Sequence, residues 1–85
     1  MPKVVLTHAV VDIDHWLKGK ADRAAAIGSN VVDYVAEDGS NNIAVSAEVG
    51  DLAALQAMLA SPPPDVLAQM EDHGVVQPVT AYVEA

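Results

Sequence analysis

The sequence predicts a small α+β domain with the element order βαββαβ, in which helices cover one face of a four-stranded antiparallel sheet. Three observations predict it. Four short stretches rich in β-branched residues recur along the chain, amphipathic stretches separate the first from the second and the third from the fourth, and only a short turn separates the second from the third. Right-handed crossovers convert this order into a split βαβ sheet with its helices on one face.

The first strand and helix are predicted from residues 3–28. Residues 3–11, KVVLTHAVV, are rich in β-branched side chains and contain no breaker, which is typical of a mostly buried strand. Asp12 or Asp14 can cap the helix that follows, and Gly28 can end it. Apolar residues recur there at three- and four-residue steps: Ile13, Trp16, Leu17, Ala24 and Ile27. Arg23 lies off this stripe, so we expect it on the solvated face of one continuous amphipathic helix.

A β-hairpin is predicted next. Residues 30–37 form the second strand, and residues 38–42, DGSNN, tolerate turn conformations. The third strand, residues 43–49, alternates between apolar side chains on one face and smaller or polar ones on the other. Its apolar set is Ile43, Val45, Ala47 and Val49. We therefore expect one face of this strand to be buried.

The second helical region is predicted as two short helices. Asp51 can cap the first of them, whose apolar stripe is Leu52, Leu55, Met58 and Leu59. The prolines at 62–64 end it, and Asp65 can cap a second helix that Gly74 terminates.

The last strand is predicted over residues 75–84. It contains Pro78, which has no N–H to donate to a neighbouring strand. We therefore expect this strand to lie at an edge of the sheet or to carry a bulge.

Chain length allows one domain, residues 1–85. A chain of this size buries only a little over roughly 60% of the surface of its unfolded form, so its stability is modest unless something is added. Cysteine is absent, which leaves no disulfide framework. Self-association as a homodimer is the expected source of extra stabilisation.

Composition excludes some classes of partner. Four basic residues against twelve acidic ones give a net charge of −8, which opposes the phosphate neutralisation that nucleic-acid binding requires. No stretch approaches the roughly 20 apolar residues of a membrane helix, and the start of the sequence lacks the apolar run of a signal peptide. We expect a cytoplasmic protein without nucleic-acid or membrane partners.

Three stretches carry a resemblance to a known group: residues 11–16 (VDIDHW), residues 42–52 (NIAVSAEVGDL), and residues 61–75, which begin with Ser-Pro and end with His-Gly-Val. With these, the chain resembles the dimeric α/β-barrel group of ferredoxin-like proteins, which includes the antibiotic-biosynthesis-monooxygenase-like families. The resemblance implies two sheets packed face to face across a dimer axis, and a pocket between each sheet and its helices. Members include cofactor-free oxygenases of polyphenols, polyketide cyclases and haem-degrading enzymes. The haem-degrading pattern is not matched, because the only Trp lies in the first helix and the first strand has no Asn.

Two histidines are candidate catalytic residues. A buried imidazole at His8 could act as a general base, or it could be a structural histidine. If His8 shares a face with Val4 and Leu6 it enters the pocket, and otherwise it faces the partner's sheet. His73, just before Gly74, suits a helix C-terminus, where a partly cationic ring helps satisfy free carbonyls, and it could also transfer protons.

Aromatic and acidic residues are candidates for ligand binding. Trp16 could form a flat pocket wall or anchor the core. The polar set on the sheet face away from the helices is predicted to be Tyr34, Ser46, Glu48, Thr80 and Tyr82. These groups could pair across the dimer or line a wet cavity, where the carboxylate of Glu48 could exchange protons. His15 is expected at a solvated or rim position.

No metal or cofactor is predicted. No two histidines have the spacing that makes a helical pair converge on a metal, and no phosphate-binding glycine loop or nucleophile elbow occurs. Two hypotheses follow. The first is a small-molecule-binding dimeric α/β-barrel protein that works as a cofactor-free oxygenase, cyclase or isomerase. The alternative is a non-catalytic dimer with a binding or assembly role.

Overall fold

A computed structural model describes residues 2–85, in which one pair of helices follows the first strand and another pair follows the third. The elements are β1 Lys3–Val10, α1 Ile13–Lys18, α2 Lys20–Ile27, β2 Ser29–Val35, β3 Asn42–Glu48, α3 Leu52–Ala60, α4 Pro64–Asp72 and β4 Val75–Val83. The sheet order is β2-β3-β1-β4, and every neighbouring pair is antiparallel. The predicted ferredoxin-like α+β fold is therefore confirmed.

The last strand has both features that Pro78 predicts. β4 lies at an edge of the sheet, next to β1. Thr7 pairs with Thr80 and Ala9 pairs with Val76, so the register between the two strands shifts around His8. This bulge accommodates a residue that cannot donate a backbone hydrogen bond.

The sheet has one covered face and one open face. On the covered face, strands β1 and β3 bury alternate apolar side chains: Val4, Leu6, Val10, Ile43, Val45 and Ala47. Trp16 and Leu55 of the helices complete this core. The open face carries the other alternate positions of all four strands: Val5, Thr7, Val32, Tyr34, Ala44, Ser46, Thr80 and Tyr82.

The first helical segment is not continuous, and the prediction of one helix was wrong. The α-helix ends at Lys18 and a second begins at Lys20, with Gly19 between them. A Cβ at Gly19 would lie 2.6 to 2.9 Å from three ring atoms of His73. The backbone at the break therefore approaches the imidazole more closely than any side chain would allow.

Two further expectations about the helices were wrong. Arg23 is not on a solvated face but is buried, because Asp33 of β2 supplies a partner for its charge. Asp65 does not cap α4, because the fixed backbone angle of Pro64 suits the first helical position and the helix starts there. By contrast, Asp12 and Asp51 cap α1 and α3 as predicted, each accepting a backbone N–H at 3.0 Å.

Candidate functional site

A cavity of about 90 Å³ lies between the covered face of the sheet and helices α2, α3 and α4. We call it the helix-side cavity. Its walls are mainly apolar and include Leu6, Ile27, Val45, Met58, Leu59 and Met70. Its polar residues are His8, Arg23, Gln69 and His73. Pockets for drug-sized ligands are usually about 300–1,000 Å³, so this cavity as it stands has room for a few waters or a small fragment.

His8 points into the helix-side cavity, which answers the question that sequence left open. It follows Val4 and Leu6 along β1 on the covered face, as strand alternation requires. Its Nδ1 lies 2.8 Å from the carbonyl oxygen of Ala9. Because a carbonyl only accepts, Nδ1 carries the proton and donates, which leaves Nε2 of the neutral ring as an acceptor.

The electrostatic surroundings of His8 favour its neutral form. Burial lowers the pKa of His8 below its ordinary value, because a charged imidazole loses its hydration there. The hydrogen bond to Ala9 opposes this change, and the nearby positive charge of Arg23 adds to it. The net direction is downward, so the ring is held in the form that can accept a proton.

Trp16 and Arg23 lie behind His8. Trp16 is 0% exposed, and its ring meets that of His8 edge to face, with centroids 6.0 Å apart and planes at 83°. The guanidinium carbon of Arg23 lies 3.9 Å from the centroid of the Trp16 ring. Arg23 also donates to the Trp16 carbonyl and, at 2.8 Å, to the carboxylate of Asp33. Trp16 therefore lies in the core and does not border the cavity.

His73 reaches the same cavity from its other side. It occupies the C-cap of α4, the helix end that its sequence position predicts, and it is buried. Its ring packs on Gly19, and Nε2 lies 3.7 Å from the exposed carboxylate of Asp22. The two histidines singled out as catalytic candidates are thus brought together, although they come from opposite ends of the chain.

His15 is exposed, as expected, and lies away from the cavity. Its Nε2 donates to the backbone carbonyl of Asp72 at 2.6 Å and so ties α1 to the end of α4. This makes His15 a suitable control for experiments on the other two histidines.

The predicted ligand-binding residues of the strands are on the open face, across the sheet from the helix-side cavity. Tyr34 and Tyr82 are 50% and 57% exposed, and the hydroxyl of Ser46 donates to that of Tyr34 at 3.4 Å. Tyr34 and Thr80 border a groove of about 530 Å³ on this face, and His8 lines this groove as well as the helix-side cavity. Glu48 accepts a hydrogen bond from the side chain of Asn30. Whether these groups bind a ligand or a partner sheet stays a prediction.

Arg23 is the charged cavity residue that sequence reasoning missed. A signal was present, because Arg23 follows Trp16 by seven residues, which is two helical turns and the same face. Asp33 is the single charge in the otherwise apolar run VVDYV of β2. A lone cation and a lone anion on facing apolar elements indicate a buried pair.

Two other kinds of site were sought in residues 2–85. No three His, Asp or Glu side chains in this range come together in a way that could hold a metal ion. Over the same range, every helix is too short or too polar to cross a membrane.

Comparison with known proteins gives matches of fold only. No protein-family profile matches the chain, and no curated protein matches its sequence. The structure of an antibiotic biosynthesis monooxygenase superposes with a TM-score of 0.60 and 15% identity, covering 100% of this chain and 97% of that one. A Deinococcus radiodurans protein, provisionally described as an antibiotic biosynthesis monooxygenase, superposes with a TM-score of 0.55 and 17% identity, covering 100% of this chain and 92% of that one. The chain therefore has the ferredoxin-like fold of the antibiotic-biosynthesis-monooxygenase-like proteins, as the resemblance predicted.

Proposed function

We propose that the protein binds a small, largely apolar molecule in the helix-side cavity and removes a proton from it, with His8 as the general base. The observation that carries this proposal is the meeting of His8, Arg23 and His73 in one apolar cavity. A neutral imidazole whose Nδ1 is already engaged presents Nε2 as the proton acceptor. Perturbed titratable groups in an apolar pocket are the usual features of an active site.

The chemistry follows from the charges. Transfer of a proton from an acidic O–H or C–H bond to Nε2 of His8 leaves the ligand with a negative charge. The guanidinium of Arg23 borders the same cavity and stabilises that charge. Nε2 of His8 then holds the proton and can return it to the product, and His73, which borders the same cavity, can relay it. Proton removal of this kind begins oxygenase, cyclase and isomerase reactions, and the monooxygenases that share this fold favour the first of these.

The proposal requires the cavity to enlarge when a ligand larger than a small fragment enters. Helices α3 and α4 are the wall that can move, because Leu55 is the one buried residue of α3 and none in α4 is buried. Elements with few buried apolar contacts open at low free-energy cost. The C-terminal end of α4 is tied to α1 by His15, so the end near Pro62 is the one expected to swing outward.

The test is binding and turnover of a panel of mono- and polyphenols, measured by calorimetry and by oxygen consumption. We expect saturable binding by the native protein and loss of turnover in His8→Ala. The matched control is His15→Gln, which replaces an exposed histidine outside the cavity but keeps a side-chain N–H for the Asp72 carbonyl, and it should leave both measurements unchanged. If no phenol binds, or if His8→Ala turns over as fast as the native protein, the proposed function is wrong.

We further propose that the open face is the interface of a homodimer. Tyr34, Tyr82 and Val32 lie on this face and are each between 43% and 57% exposed in the single chain. Exposed aromatic and aliphatic side chains grouped on one sheet face are typical of a contact between proteins. Covering it would also supply the stabilisation that so short a chain needs.

Sedimentation measurements test the interface. We expect the native protein to sediment as a dimer and Tyr82→Lys as a monomer, because the change places a charge on the open face. Leu67→Lys, on the exposed surface of α4, is the control and should remain dimeric. A monomeric native protein would contradict this proposal. A dimer that binds none of the phenols would favour the non-catalytic alternative, in which the chain serves as a binding or assembly protein.

A further inference from the structure

We propose that Trp16 and Arg23 are positioning residues for His8, forming a buried stack that fixes the orientation and the tautomer of its imidazole at the cavity wall. This inference rests on the proposed role of His8 as a base. In this role Trp16 and Arg23 act on His8 and not on the ligand, and the role is separate from the charge stabilisation proposed for Arg23 above.

The first step is the contact between the rings of His8 and Trp16. Their centroids are 6.0 Å apart and their planes are nearly perpendicular. Trp16 is completely buried, so its indole cannot swing away to make room for another orientation of the imidazole. The hydrogen bond from Nδ1 to Ala9 fixes the other side of the ring. Together the two contacts hold Nε2 toward the cavity.

The second step is the clamp on Trp16 itself. The guanidinium of Arg23 lies over the indole ring, with its central carbon 3.9 Å from the ring centroid. The same guanidinium donates to the Trp16 backbone carbonyl and to Asp33. A planar group with several donors in fixed directions can make all these contacts at once, which a lysine ammonium cannot. Arg23 therefore holds both the side chain and the backbone of Trp16 in place.

The third step is electrostatic. The charged or titratable groups around His8 are Arg23 of α2 and His73 at the end of α4, which border the same cavity, and Asp33 of β2, which pairs with Arg23. A fixed cation beside the imidazole disfavours a second positive charge there. Burial is the larger cause of the lowered pKa of His8, and Arg23 adds to it while also holding the stack together.

The experiment is nuclear magnetic resonance of the histidine ring nitrogens and carbons in the ligand-free protein across a pH titration. We expect native His8 to show one neutral tautomer, with the proton on Nδ1, and to titrate below the ordinary histidine value of about 6.5. Trp16→Leu should lose the single tautomer, whereas Trp16→Phe, which keeps an aromatic ring, should retain it.

Removal of Arg23 should raise the pH at which His8 titrates. Arg23→Met alone leaves Asp33 buried without a partner and could unfold the chain, so the double change Arg23→Met with Asp33→Leu is measured beside it. The His15 signals are the internal reference and should be the same in every variant. If His8 keeps its native tautomer and titration in both Trp16→Leu and the double variant, the inference is wrong.

The outcome is separable from that of the proposed function because no ligand is needed. If the His8 signals respond as expected but no phenol binds, the positioning stack stands and the proposed reaction is wrong. If a phenol is turned over in a His8-dependent way but the His8 signals are the same in Trp16→Leu and in the double variant as in the native protein, the reaction stands and the positioning role is overturned.

Discussion

The buried ion pair between Arg23 and Asp33 leads to a quantitative prediction about stability. Their side chains are 8% and 7% exposed, and the nitrogen and oxygen that join them are 2.8 Å apart. Asp33→Leu leaves the guanidinium buried without its counter-charge, which typically costs about 3–5 kcal/mol of unfolding free energy. A domain of this size has a total of only roughly 4–13 kcal/mol, so the single change should remove a large fraction of it.

Replacing both partners should cost far less. Within residues 2–85, Nε of Arg23 and Oδ1 of Asp33 have no hydrogen-bond partner, so the pair is incompletely satisfied. Apolar replacement of such a pair is often neutral or stabilising by about 1–4 kcal/mol. We therefore expect Arg23→Met with Asp33→Leu to be at least about 2 kcal/mol more stable than Asp33→Leu alone.

Urea unfolding gives the four free energies of this double-mutant cycle. Trp16 is the only tryptophan and is fully buried, so its fluorescence reports unfolding without interference. Circular dichroism should accompany it, because removing Arg23 changes the surroundings of the indole directly. A loss below about 1 kcal/mol for Asp33→Leu, or losses that simply add in the double variant, would refute the reasoning.

Three further predictions test other parts of the structure. Gly19→Ala places a Cβ against the His73 ring and should cost about 1–3 kcal/mol in urea unfolding; the cost should vanish in a His73→Ala background, and its persistence there would contradict the contact. Because the pKa of His8 is lowered in the folded protein, the unfolded chain binds this proton more tightly, so the free energy of unfolding should fall as pH drops below about 6.5 and level off below the folded pKa. His8→Gln should remove this part of the pH dependence. An unchanged pH dependence in that variant would contradict the lowered pKa. Asp51→Ala removes the N-cap of α3 and should cost about 1 kcal/mol by thermal unfolding, whereas Asp65→Ala, which caps nothing, should cost much less; equal losses would argue against the cap.

The amino-acid sequence by itself determined the elements and their order. The alternation of residues 43–49 shows which side of β3 is buried, since side chains on a strand point to opposite faces in turn. Pro78 predicts an irregular edge strand because it has no backbone N–H to donate. Asp12 and Asp51 reveal helix starts through their own short side chains. Each of these signals acts between residues that are neighbours in the chain, so no knowledge of distant contacts is required.

Only the tertiary structure decided where the chemistry lies. The face of His8 could not be read from β1, because the β-branched residues on both sides of this strand give it no clear alternation. The break at Gly19 reflects the ring of His73, and the burial of Arg23 reflects Asp33 on another element. Local periodicity predicts which side chains face the core, but it does not predict which residues from distant parts of the chain they contact there. The convergence of His8 and His73 on one cavity therefore follows from packing between elements far apart in the chain.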